Sequence, residues 1–183
     1  MKGFILLVAF AALATYHAYA QKVYIGCPEK VNAIPNAGFL AQQPVDVVIF
    51  DSRTIPAGAK IECQGTEVRQ ALQNFLQSEF PSCKMTLLPD TLSAPKPGKI
   101  TIKIGISAYQ ASLARSEWTG TVNYRVTVTD NRHQPGRKQS EEISNEISRP
   151  NILGYRAAKK CLFMGFDKSN QDLVSFIENT LKD

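Results

Sequence analysis

Between Lys99 and Thr129 apolar and polar residues alternate with a period of two. Ile100, Ile102, Ile104, Ile106 and Ala108 point one way; Thr101, Lys103, Gly105, Ser107 and Tyr109 point the other. After a connection over 110–116, Trp118, Gly120, Val122, Tyr124, Val126 and Val128 alternate with Glu117, Thr119, Thr121, Asn123, Arg125, Thr127 and Thr129. Alternation sustained this far marks long strands with one dry face and one wet face. It predicts an antiparallel pair at the centre of a sheet whose dry side is covered by helices.

The flanking pattern supplies the rest. Val45 to Phe50 is a short β-branched run after Pro44, which reads as a buried strand. Lys60 to Cys63 reads as a brief strand. Val68, Ala71, Leu72, Phe75, Leu76 and Phe80 recur at helical spacing, with Gly65-Thr66 opening that helix, Thr66 as its cap and Pro81 ending it. Cys83 to Leu88 is a further strand, Pro89 to Gly98 a loop, and Asp130 to Gly136 a turn. Arg137 to Ser148 is polar on both faces and suits a sheet edge. Tyr155, Ala158, Cys161 and Leu162 share a helical face that Gly165 interrupts; a last helix then follows a cap at Asp167 or Ser169. The expectation is an α+β fold, an antiparallel-rich sheet of about four to five strands with helices packed on one face.

Domain limits follow from the amino-terminal composition. Lys2, the apolar run Phe4 to Thr15 and Ala18-Tyr19-Ala20 have the parts of a secretory signal peptide over residues 1–20. Residues 21–44, punctuated by Pro28, Pro35, Gly38 and Pro44, read as an irregular arm, and 45–183 as one domain. The implied localisation is periplasmic or secreted after cleavage near Ala20. Ile25-Gly26-Cys27 also ends like a lipoprotein processing site, which would anchor the chain through Cys27.

Export changes the reading of the four cysteines, Cys27, Cys63, Cys83 and Cys161. An even count points to disulfides. A helix of about 14 residues, roughly 21 Å long, separates Cys63 from Cys83, whereas a disulfide needs Cα atoms within about 7 Å. Two connectivities remain: Cys27–Cys63 with Cys83–Cys161, or Cys27–Cys83 with Cys63–Cys161. Free buried thiols are the alternative.

Charge and motifs exclude more than they assign. The net charge of +5 is dispersed, with no basic stripe of the kind that binds nucleic acid. His133, in a turn, is the only histidine after residue 20, too few for a multi-histidine metal site. There is no C-x-x-C, G-x-S-x-G, phosphate-binding or dinucleotide-binding glycine pattern. Glu62, Glu67 and Asp90 are scattered carboxylates without a pairing context. The expectation is therefore no enzyme, with a hydrolase using carboxylates alone as the alternative, no cofactor and no metal. Trp118 reads as core against the Val68–Phe80 helix, or as lying beyond helical cover where a partner meets it. Tyr109, Arg115, Trp118 and Arg125, at and beside the ends of the central pair, are the candidate contact surface.

The order of elements, with "GTVNYRVTVTD" at its centre and "DLVSFIENTL" at its end, resembles small bacterial envelope accessory proteins. These include the auxiliary lipoproteins of transport systems and the lipopolysaccharide-assembly accessory protein. The resemblance implies a non-catalytic module that docks on an envelope protein complex or handles an envelope component, with peripheral membrane association among its modes. It transfers no functional residue. The alternatives are a protease-inhibitor-like secreted protein, for which Pro89 to Gly98 is the only candidate loop, or a small-ligand or lipid-binding protein.

Overall fold

The computed structural model describes residues 22–29, 33–89, 94–133 and 135–182. The signal-peptide expectation over residues 1–20 lies outside them. Seven strands form one sheet: β1 (Lys22–Ile25), β2 (Pro44–Asp51), β3 (Lys60–Ile61), β4 (Lys84–Leu87), β5 (Ile100–Ala114), β6 (Glu117–Asp130) and β7 (Arg137–Pro150). Two helices accompany them, α1 (Gly65–Glu79) and α2 (Tyr155–Leu181).

The central pair forms as its alternation predicts. β5 and β6 are antiparallel from Ile100↔Asp130 to Ala114↔Glu117, and β7 continues along the far edge of β6. On its other edge β5 has two neighbours in succession. Val45 to Asp51 of β2 run parallel to Ile100 to Ile106, and Lys22 to Tyr24 of β1 run antiparallel to Leu113 to Ala111. β4 is parallel to β2, and β3 is parallel to β1. The sheet is therefore larger than expected and mixed, not antiparallel-rich. The apolar run of β2 is the kind a parallel strand carries. Helix α1 provides the crossover from β2 to β4 that a parallel neighbour needs.

The register slips between Ile106 and Ala108, where β5 passes from β2 to β1. The extra residue, Ser107, reverses the alternation. Tyr109 and Ala111 therefore turn inward, whereas simple alternation puts Ala108 there. What reads as a long connection over 110–116 is mostly strand, closed by a two-residue turn at Arg115 and Ser116. The residues expected to form an irregular arm also begin with a strand, since Val23, Tyr24 and Ile25 of β1 are buried.

Both helices share one apolar core. Val68, Leu72 and Leu76 of α1 lie in one buried cluster with Val45 and Val47 of β2, and Leu173 and Ile177 of α2 join Val126, Val128 and the inward isoleucines of β5 in the same cluster. Gly165 does not break α2, which runs unbroken for 27 residues. A Cβ at Gly165 would lie 3.3 Å from Val122 Cγ2, so the missing side chain lets the helix lie close on β6. Polar bonds fix the helix along its length. Tyr124 donates its hydroxyl to Asn170 Oδ1 at 2.9 Å, and Asn145 Nδ2 donates to Asp172 Oδ2 at 2.8 Å. Helix α1 starts one residue before the expected cap. Gln64 is the cap residue, and its N–H donates to Glu67 Oε2 at 2.6 Å.

Candidate contact surface

The four residues expected to form a contact surface do not converge. Tyr109 is buried, its ring edge-on to Phe166 at 5.7 Å. Trp118 is also buried, under the start of α2 instead of under α1, and its indole Nε1 donates to Asn151 Oδ1 at 2.8 Å. Arg115 is exposed in the hairpin turn with φ 55°. Arg125 stands on the outer face, with Nε 3.9 Å from Glu142 Oε1. It lies eight positions along β6 from Glu117, roughly 27 Å from the turn at the usual strand rise.

What the fold does assemble lies at the hairpin end. Pro150 of β7 is opposite Glu117, and the β7–α2 loop, residues 151–154, folds against the turn. Asn151 N–H donates to Ser116 O at 2.7 Å, and Ile152 N–H donates to Pro150 O at 2.9 Å. With the indole bond to Asn151, these fix the loop's backbone. They leave Ile152 at 83% and Leu153 at 65% exposure, followed by Tyr155 at 41%. Single exposed apolar residues are ordinary, but three within four positions, two on the loop and one at the first residue of α2, are a patch.

Beneath the patch lies a polar-aromatic base. The Tyr155 ring is 5.2 Å from Tyr24 and 5.5 Å from Trp118, with Lys60 Nζ 4.1 Å above it. Glu62 collects three donors: Tyr24 Oη at 2.6 Å, Lys159 Nζ at 3.1 Å and Lys60 Nζ at 3.2 Å. The Tyr24 bond and the two lysines hold its carboxyl down, to about 2. Burial, and the same bond to Glu62, push the Tyr24 hydroxyl up. This network joins β1, the β3 edge and the start of α2.

Exposed cations surround the patch. Lys22 begins β1 opposite Leu113, Arg115 sits on the turn, and Arg156 and Lys160 lie one helical turn apart on α2. Sequence reasoning missed Ile152 and Leu153. The readable sign was an apolar pair set between Pro150 and Gly154, in a turn context where polar residues are the norm.

The cysteines resolve to one disulfide, Cys27–Cys63, with Cα atoms 4.9 Å apart. It extends the parallel register of β1 and β3, in which Ile25 faces Ile61. Cys83 and Cys161 are free, so the expected second bridge is absent. Cys161 is held under β6, its thiol donating to Trp118 O at 3.3 Å. The lipid-anchor reading of Cys27 fails on two physical grounds. Its sulfur is bonded to Cys63, and processing before Cys27 would remove β1, whose Tyr24 and Ile25 belong to the core.

Other features offer little convergent chemistry. Among the described residues, the group placed to hold a metal is Cys27, Cys63 and Glu67, and two of its donors are spent in the disulfide. A groove of about 500 Å³ between β7 and α2 is open and lined by Glu141, Glu142, Asp172 and Asn179 among others. His133 is exposed in its turn. Of the candidate inhibitory loop, residues 90–93 lie outside the described residues.

No family model matches the sequence, and no curated protein matches it. Among solved structures, the chain is similar to the hypothetical protein CT253 from Chlamydia trachomatis, at 14% identity and TM-score 0.47, covering 76% of this chain and 98% of that one. A putative neuraminyllactose-binding hemagglutinin homolog from Helicobacter pylori is 13% identical over 88% of this chain and 92% of that chain, with TM-score 0.37. Lipoprotein GNA1162 from Neisseria meningitidis is 15% identical over 75% of this chain and 99% of that chain, with TM-score 0.33. At these identities and scores the functional reading rests on this chain's own residues.

Proposed function

We propose that this chain is an exported, non-catalytic accessory or binding module of the cell envelope that acts by contact, through the hairpin end of its sheet. The observation that carries the reading is the loop of Ile152 and Leu153, 83% and 65% exposed on a backbone fixed by hydrogen bonds. Keeping two branched apolar side chains in water is unfavourable, and an immobilised loop loses little further freedom when it is covered. A disulfide between β1 and β3 supports an oxidising compartment. Among the described residues no helix is long and apolar enough to cross a membrane.

The test is site-specific photo-crosslinking in intact cells, with the crosslinker placed at Leu153 and, as a control, at Arg125. Adducts at 153 but not at 125 are expected. Absence of any adduct, protein or lipid, at 153 would overturn the proposal.

A further inference from the structure

We infer that what covers the hairpin end is an anionic phospholipid surface. The inference rests on the contact reading above and names its partner.

Two features of that end point the same way. The apolar part is small and protruding, with Ile152 and Leu153 at the outside of a loop instead of lining a groove. A bilayer interface receives a few branched side chains together with an aromatic ring at headgroup depth. Tyr155 supplies the ring, 41% exposed beside the loop.

The second feature is charge. Lys22, Arg115, Arg156 and Lys160 are exposed around the apolar pair, and Glu117 is the acid beside them at the turn. Helix α2 starts at the same place, so the positive end of its dipole lies at this surface. Basic side chains near an anionic leaflet add attraction that salt weakens.

The test is flotation of the exported chain, purified as the cell processes it, with vesicles of phosphatidylglycerol and phosphatidylethanolamine and with vesicles of phosphatidylcholine. The wild type should float with the first set, and raising the salt should weaken it. Ile152→Ser with Leu153→Ser should reduce binding about tenfold or more, the scale of two apolar side chains withdrawn from an interface. Arg156→Ala with Lys160→Ala should weaken binding and lessen its salt dependence, and Arg125→Ala should leave it unchanged. Equal binding to phosphatidylcholine, or full binding by the Ile152/Leu153 variant, overturns the inference. If the wild type binds neither vesicle while the crosslinker at Leu153 captures a protein, the lipid surface is wrong and the contact reading stands. If both experiments are negative, both fall.

Discussion

A Cβ added to Gly120 would stand 2.6 Å from the backbone carbonyl carbon of Cys161 and 2.8 Å from its Cβ, so helix α2 rests directly on the backbone of β6. The neighbour is main chain and cannot rotate aside. Gly120→Ala should therefore displace the helix and cost about 1–3 kcal/mol, as overpacking does. Among the described residues a Cβ added at Gly38 meets nothing within 4 Å, and Gly38→Ala should be neutral or slightly stabilising, by up to about 1 kcal/mol through the unfolded chain. Urea denaturation of the two variants decides the point, and a neutral Gly120→Ala would contradict the packing described.

The Cys27–Cys63 bridge closes a segment of 36 residues. On a chain-entropy basis its removal should cost about 3–4 kcal/mol. Cys27→Ser with Cys63→Ser, compared with the wild type by thermal denaturation, measures this. Alkylation in denaturant should label two thiols without reductant and all four with it, because Cys83 and Cys161 are unpaired. Under native conditions Cys83 should react slowly, since burial raises its thiol to about 11. Labelling of no thiol before reduction would show a second bridge.

Glu62 gives the protein an acid-side sensitivity. Its folded pKa, held to about 2, lies below the usual 4.5. A carboxyl depressed in the folded state contributes stability that is complete above its unfolded value and is lost as pH falls through the folded one. The wild type should lose this contribution between pH 4.5 and 2. Glu62→Gln should be less stable at neutral pH and should show a shallower decline over that window. Parallel curves for the two proteins, in denaturation series from neutral to acid pH, would rule the network out as a source of stability.

The bond from Tyr124 to Asn170 joins two side chains that are both fully buried. Tyr124→Phe leaves Asn170 Oδ1 unsatisfied, and should cost about 1–3 kcal/mol. Among the described residues Asn170 Nδ2 has no hydrogen-bond partner, so replacing both groups removes two orphans together. Tyr124→Phe with Asn170→Leu should recover part of the loss. A double-mutant cycle showing strict additivity would mean the bond carries no coupling.

The strands of the central pair, the extent of α1, the polar edge strand β7 and one half of a proposed disulfide pattern were legible in the residues. All depend on near neighbours: side chains alternate across a strand and recur every three to four positions on a helix. That information is complete in the sequence, and it was enough to place Trp118, Val122 and Tyr124 on the dry face of β6.

Only the tertiary structure decided what met what. One inserted residue, Ser107, reversed the phase of β5 and took Tyr109 from the proposed surface into the core. The parallel pairing of β2 and β4 depended on a crossover through α1 that no local pattern specifies. Gly165 looks like a helix break until β6 lies against it, where the absent side chain becomes the means of close packing. Cys83 and Cys161 counted as a pair by parity, but a bridge requires proximity, and the fold leaves one beside β4 and the other under β6. The hairpin end followed the same logic: Lys22, Arg115 and Ile152 are far apart along the chain, and the register of β1, β5, β6 and β7 brings them to one edge.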